Sequence, residues 1–198
     1  NLWHDSVHRT RTQFKANGEN GHGLLIGDDF QRSPGFGGFT FAVGITPVQG
    51  GTAISGTIAR QSGLWSLKLK NNTVRLAMGN WRVESPVTLV DGCNRFIVTG
   101  DFSRRTSNWK GDDDVTSIKL LVNGQELLSV NERGKLKDEE YLKNPTYLGQ
   151  DADGKERLNA VLSRAIMLNK KVSAEPPLSI QELEGKICGQ TQLTTGKQ

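Results

Sequence analysis

Residues 65–78 read WSLKLKNNTVRLAM, with apolar and polar side chains alternating on both sides of an Asn-Asn pair. Such alternation is typical of half-buried β-strands, and asparagine tolerates the positive φ angles of a two-residue hairpin turn. Asn71-Asn72 therefore predicts a hairpin whose register places Lys68 opposite Arg75 on the outward face. The face predicted to be buried consists of Trp65, Leu67, Leu69, Val74, Leu76 and Met78.

The same alternation recurs along the chain. It is visible in residues 39–45, 95–99 and 117–122, and clusters of Gly, Asn, Asp and Pro separate these stretches. Asn123-Gly124 predicts a second hairpin turn. Short alternating strands separated by turn residues predict an all-β fold in which two antiparallel sheets form a sandwich.

Size and composition favour one globular domain. A chain of 198 residues lies within the range of a single β-sandwich, and its 23 glycines indicate many turns. We expect one domain over residues 1–190 and a flexible tail over 191–198. The clearest helical prediction is one short turn at residues 179–184. No stretch approaches the roughly 20 consecutive apolar residues of a membrane helix, so we expect no membrane insertion.

The charge balance favours some partners over others. A formal charge of +4 mildly favours anionic partners, but the 25 Lys and Arg residues are nearly matched by 21 Asp and Glu residues. The basic residues also lack aromatic residues interleaved along a strand face, which single-stranded nucleic acid would require. We therefore expect no nucleic-acid partner.

Cys93 and Cys188 are the only cysteines. They lie too far apart for a paired metal-ligand motif, so either they form one long-range disulfide or both are buried thiols. A disulfide persists in an oxidising compartment, and that alternative predicts an extracellular or cell-surface protein.

Six segments occur along this chain in the same order as similar segments of a known protein family. They are FTFAV at 39–43, SGLWSL at 62–67, VNGQ at 122–125, YLG at 147–149, LNA at 158–160 and RAIMLN at 164–169. This order resembles concanavalin A-like, laminin-G-type domains, including the lectin-like modules attached to bacterial and trypanosomal sialidases. The resemblance covers residues 36–184. It implies a two-sheet jelly-roll sandwich with a concave face and loops at one edge, where such modules hold glycans.

Catalytic motifs of related folds are missing from the sequence. Glucanases of this fold carry a Glu-x-Asp-x-x-Glu strand, which supplies the paired carboxylates of glycoside hydrolysis, and this chain has no such strand. The Ser-x-Asp-x-Gly-x-Thr-Trp box of sialidase propellers is also missing. We therefore expect a module that is not itself an enzyme.

The outward face of the predicted hairpin is the first candidate binding surface. Lys68 and Arg75 repel each other when they are directly opposite, so a bound anion would be stabilised between them. The alternation of its strand places Lys119 on the outward face, and Arg60 lies near a strand end. We therefore expect one or the other close to the pair. An arginine matches a carboxylate in two places, which suits sialic acid, uronic acid or sulfate. An ordinary solvated sheet face is the alternative.

Two tryptophans are candidates for stacking on a sugar ring. Trp109 lies in a polar loop with no obvious core to enter, and Trp81 follows Gly79-Asn80 at a strand end. We expect one of them at the margin of the cationic pair. A loop tryptophan that folds back over the edge of the sandwich is the alternative.

Calcium is the one cofactor that the sequence suggests. Asp112 and Asp114 in one acidic run, and Asp151 and Asp153 in another, can supply oxygen ligands near loops. The second run lacks the remaining ligands of a full calcium loop, and solvated acidic turns are the alternative for both.

These observations predict a non-catalytic, lectin-like carbohydrate-binding module of a secreted or surface protein. Its expected partner is a glycan or glycoprotein, with an anionic glycan preferred. The alternative is a protein-interaction, adhesion or structural jelly-roll domain that binds no sugar.

Overall fold

The computed structural model describes residues 14–16, 24–26, 39–48, 53–63, 65–78, 81–104, 113–130, 134–135, 146–151, 153–168 and 179–188. These residues form thirteen strands and one helix. In chain order they are β1 (Phe14–Ala16), β2 (Leu24–Ile26), β3 (Phe39–Pro47), β4 (Gly56–Gln61), β5 (Trp65–Lys70), β6 (Thr73–Met78), β7 (Trp81–Pro86), β8 (Asn94–Arg104), β9 (Asp113–Val122), β10 (Gln125–Val130), β11 (Gly134–Lys135), β12 (Thr146–Leu148), β13 (Ala160–Leu168) and α1 (Ile180–Ile187).

The strands form two sheets, and every pairing among the described residues is antiparallel. Sheet I has the order β1-β13-β3-β8-β9-β10, with β11 paired to β9. Sheet II has the order β2-β12-β4-β5-β6-β7. The predicted all-β, two-sheet antiparallel jelly-roll sandwich is confirmed.

The core lies between the two sheets. Phe41 and Phe96 of sheet I and Trp65 and Leu67 of sheet II belong to one buried cluster. The rings of Phe41 and Trp65 meet across the interface with centroids 5.1 Å apart. Burying each such side chain contributes about 1.5–3 kcal/mol, so this interface is the main source of the fold's stability.

The β5–β6 hairpin has the predicted register. Asn71 and Asn72 adopt φ angles of 49° and 58°, and Lys68 pairs with Arg75. The six residues predicted to face inward are each at most 2% exposed. Asn72 is fixed further because its side-chain oxygen accepts from Ile54 N at 3.0 Å. The hairpin is therefore tied to the segment that precedes β4.

The second predicted hairpin is also confirmed. Asn123 and Gly124 adopt φ angles of 51° and 80°, and they join β9 to β10. The side chain of Asn123 accepts from Arg95 N at 2.8 Å and donates to Asn94 Oδ1 at 3.0 Å. This turn is thereby fixed to the start of β8.

Helix α1 is longer than the single turn that the sequence predicted. Ser179 caps it, and Glu182 completes a capping box, which satisfies free backbone N–H groups of the first turn. Leu183 and Ile187 pack on the outer face of sheet I against a cluster that includes Ile97. No helix in the described part of the chain is long and apolar enough to cross a bilayer.

Cys93 and Cys188 are joined in a disulfide, with their Cα atoms 5.8 Å apart. The bond links the residue after α1 to the residue before β8. Of the two alternatives, the structure therefore has the disulfide and not two buried thiols.

Candidate functional site

The outer face of sheet II carries a row of charged side chains across three strands. Lys68 on β5 pairs with Arg75 on β6, and Arg75 pairs with Glu84 on β7. Lys68 and Arg75 alternate with buried neighbours along their strands, and Glu84 is exposed between half-buried ones, so all three side chains lie on the solvent side of the sheet.

Each cation of the opposed pair has a carboxylate of the protein beside it. Lys68 Nζ donates to Glu156 Oε2. Arg75 Nε lies 3.0 Å from Glu84 Oε1, although its N–H makes no directed hydrogen bond. Two carboxylates of the chain therefore already offset part of the repulsion between Lys68 and Arg75 from which the sequence predicted a bound anion.

Glu156 reaches Lys68 from the β12–β13 loop, which is fastened to β4 and to the segment before it. Thr57 N donates to the carbonyl of Glu156 at 2.7 Å, and Ser55 N donates to Asn159 Oδ1 at 2.7 Å. Asn159 N returns a bond to Ser55 O at 3.1 Å. These bonds hold the loop against the sheet on the same side as the charged row.

Two backbone features allow this close approach. Gly56 has a φ of +126°, and a Cβ at this position would overlap the backbone of Arg157 and Leu158. Glu156 itself has a φ of 47°, in the left-handed region that residues other than glycine seldom adopt. The loop therefore lies closer to the sheet than any side chain at position 56 would allow.

A cleft of about 340 Å³ lies between the β5–β6 hairpin and the β12–β13 loop. We call it the hairpin cleft. Its charged lining consists of four cations, Lys68, Lys70, Arg75 and Arg157, and one carboxylate, Glu156. Ser55, Gly56 and Asn159 add polar and backbone groups. The cleft reaches the lower end of the size range of small-molecule sites, and its described lining has an excess of three positive charges.

The Lys68 ammonium beside Glu156 holds the pKa of that carboxyl below its ordinary value of 4.5, because its hydrogen bond favours the charged form. Partial burial opposes this effect, while the charge of Arg60 adds to it. Glu156 is therefore ionised at neutral pH.

Arg60 lies on β4 in the same sheet, opposite Ser66 of β5. Its Nη1 is 3.6 Å from Asp151 Oδ2. Arg60 is thus paired with the β12–β13 loop, and it is not among the described residues that line the cleft.

Lys119 does not join this group, and the expectation of Lys119 near the pair was wrong. It lies on β9 in sheet I, where Nζ donates to Glu126 Oε2 at 2.8 Å. Its outward parity was predicted correctly. Parity distinguishes the two faces of a strand, but it does not identify the sheet to which the strand belongs.

Trp81 does not lie beside the charged row. It is opposite Met78 on β7 and packs against the core from the inner side of sheet II, so its predicted role at the margin of the pair was wrong. Trp109, the other candidate for sugar stacking, lies outside the described residues.

The predicted calcium ligands do not form a cluster in the described residues. Asp112 lies outside them, and Asp114 is on β9 with its side chain outside the description. Asp151 Oδ1 accepts from Lys155 N at 2.7 Å, while Oδ2 faces Arg60. Asp153 is exposed. No group of three or more His, Cys, Asp or Glu side chains that could hold a metal occurs in this part of the chain.

Four residues at the charged row and the cleft were not predicted as site residues from the sequence: Lys70, Glu84, Glu156 and Arg157. The position of Glu84 could have been predicted, because residues 81–86 alternate and continue the hairpin register onto a third strand. The position of Glu156 could not have been predicted, because its contact with Lys68 joins residues 88 positions apart. The contact also depends on the path of a loop, which the local sequence pattern does not indicate.

No family model matches the chain, and no curated protein matches it. Solved structures with the same fold do match. The CBM40 module of a Ruminococcus gnavus sialidase, bound to α2,3-sialyllactose, aligns with a TM-score of 0.53 and 13% identity, covering 85% of this chain and 97% of the module. The chain therefore shares the two-sheet sandwich fold of this module.

Two further matches are parts of larger proteins. A sialidase from Streptococcus pneumoniae aligns with a TM-score of 0.58 and 13% identity over 84% of this chain, which spans 27% of the sialidase. The receptor-binding domain of botulinum neurotoxin type G aligns with a TM-score of 0.54 and 10% identity, covering 92% of this chain and 44% of that one. At such identities these matches establish the fold that the sequence resemblance implied, and no activity.

Proposed function

We propose that the chain is a non-catalytic carbohydrate-binding module of a secreted or surface protein, and that it holds an acidic sugar in the hairpin cleft. The observation that carries this proposal is the cleft itself, whose described lining has four cations and one carboxylate. A concave site with an excess of positive charge favours an anionic ligand, since the low-dielectric walls strengthen its attraction.

The cations of the cleft keep donors free for a ligand. Lys70 makes no ion pair with the described residues. Arg157 Nε donates to Gly154 O at 2.9 Å, and Arg75 approaches Glu84 through Nε. Because a guanidinium has five N–H donors, both arginines retain terminal donors suited to a carboxylate. Arg75 is expected to orient the acid group, while the ammonium groups contribute mostly charge.

The comparison with the Ruminococcus gnavus module supports a glycan as the ligand, because this chain covers nearly the whole of a module that was solved with sialyllactose. The described lining of the cleft has one carboxylate, which supports a binding role over a hydrolytic one, since most glycosidases use two carboxyl groups. The disulfide supports an oxidising compartment, and hence export from the cytosol.

Calorimetric titration with a short glycan panel tests the proposal. The panel contains α2,3-sialyllactose, trigalacturonate and lactose, so acidic glycans are compared with a matched neutral one. We expect binding of at least one acidic glycan, weakened by salt, and no measurable binding of lactose. No measurable binding of any glycan in the panel would overturn the proposal and favour the protein-interaction alternative.

A further inference from the structure

Glu156 is held in place more firmly than an ordinary loop carboxylate. Its backbone adopts a left-handed conformation, which persists only where the surroundings impose it. The bond from Thr57 N to its carbonyl and the absence of a Cβ at Gly56 impose it here. The side chain therefore enters the hairpin cleft from a fixed anchor.

The two carboxylate oxygens of Glu156 have different surroundings. Oε2 accepts from Lys68 Nζ and lies 3.5 Å from Thr57 Oγ1. Oε1 accepts no hydrogen bond from any described residue. Glu156 lines the cleft, and about half of its side chain is exposed, so this second oxygen is accessible to a ligand. Lys68 thus orients one oxygen and leaves the other as an acceptor.

We propose that Glu156 is the specificity-determining residue of the cleft, accepting a hydrogen bond from a hydroxyl group of the bound sugar. This inference rests on the proposed function. An ionised carboxylate makes strong hydrogen bonds to hydroxyl donors and repels other anions. The cations attract the acid group, and Glu156 requires that the same ligand also carry a hydroxyl. The cleft thereby selects polyhydroxylated sugar acids over bare anions such as sulfate.

A crossed comparison of two variants tests the inference. Glu156→Gln and Glu84→Gln each remove one negative charge and one ion pair beside the same cationic pair, and the two glutamates are similarly exposed, at 53% and 54%. Binding of α2,3-sialyllactose and of inorganic sulfate is measured at constant ionic strength for both variants and the wild type, after thermal unfolding has verified that each is folded.

We expect Glu156→Gln to weaken sialyllactose binding about tenfold, because a charge-assisted hydrogen bond is lost, and to tighten sulfate binding about threefold. Glu84→Gln is expected to tighten both, because it frees Arg75 without removing an acceptor from the cleft. Glu156→Asp keeps the charge but shortens the reach, so it should weaken sialyllactose and leave sulfate unchanged.

The possible failures are distinct. If the wild type binds sialyllactose and Glu156→Gln tightens it as Glu84→Gln does, Glu156 is only a competing internal anion and this inference is overturned. A Glu156→Asp variant that binds sialyllactose like the wild type also overturns it. If the wild type binds neither sialyllactose nor the other acidic glycan of the panel, the proposed function fails and this inference fails with it.

Discussion

Lys68 lies directly opposite Arg75 on adjacent strands, and the two cations are neutralised from opposite sides by Glu156 and Glu84. One carboxylate belongs to the neighbouring strand, and the other comes from a loop 88 residues further along the chain. The pair that would destabilise an isolated hairpin is thus the centre of a row of four charges with a carboxylate at each end. The contribution of that row depends on the ionisation of its carboxylates.

The Glu156–Lys68 pair should make stability depend on pH. The pKa of Glu156 is lowered in the folded state, so the pair stabilises the protein above the ordinary value of 4.5, and this stabilisation is lost as the pH falls through the lower, folded-state pKa. We expect the wild type to be more stable than Glu156→Gln at pH 7, with a smaller difference at about pH 3. Urea denaturation at both pH values measures this. A difference that does not change with pH would contradict the role given to the pair.

Gly56 should tolerate no side chain. Its positive φ and the overlap of any Cβ with the backbone of Arg157 predict that Gly56→Ala destabilises the fold by about 2–4 kcal/mol. Gly92 is a matched control, because nothing lies within 4 Å of the position that a Cβ would occupy there. Gly92→Ala should change stability by less than about 0.5 kcal/mol. Equal effects of the two substitutions in urea denaturation would show that the loop does not press on β4.

The disulfide between Cys93 and Cys188 should be present in every molecule of the purified protein. Thiol titration of the unfolded, unreduced chain is expected to detect no free sulfhydryl, and two after reduction. Closing a loop between residues 95 positions apart is worth about 4–5 kcal/mol in the chain-entropy model, so reduction should lower the free energy of unfolding by that order. Two reactive thiols before reduction would exclude the bond.

Chelation of calcium should leave glycan binding unchanged. The oxygens of Asp151 already face Lys155 N and Arg60. The excess positive charge of the hairpin cleft would repel a calcium ion from the cleft itself. Titration of sialyllactose with and without EDTA measures this. Loss of binding that added calcium restores would instead support the ligands predicted from the sequence, Asp151 and Asp153 among them.

The sequence predicted the features that neighbouring residues determine. The Asn71-Asn72 turn set the register that opposes Lys68 and Arg75, because a two-residue turn permits few alternatives. Applying the same reasoning across Gly79-Asn80 would have placed Trp81 opposite Met78 and therefore on the core side. The error at Trp81 was therefore avoidable.

Other features depend on tertiary structure and were not predictable from the local pattern. Lys119 has outward parity, but only the strand order shows that it lies on sheet I, across the sandwich from the hairpin. The position of Glu156 depends on a left-handed backbone and on the absence of a side chain at Gly56, neither of which leaves a periodic signal.

The most direct test of the account is the affinity of a Lys68→Ala, Arg75→Ala double variant for α2,3-sialyllactose. Lys119→Ala is the control, since Lys119 is a similarly exposed cation with a similar ion pair on the other sheet. We expect the double variant to lose measurable binding and the control to bind like the wild type. Arg75→Ala alone should weaken binding more than Lys68→Ala alone, because the guanidinium orients the acid group through paired donors and the ammonium contributes mostly charge. Wild-type affinity in the double variant would contradict the account, because the glycan would then bind elsewhere.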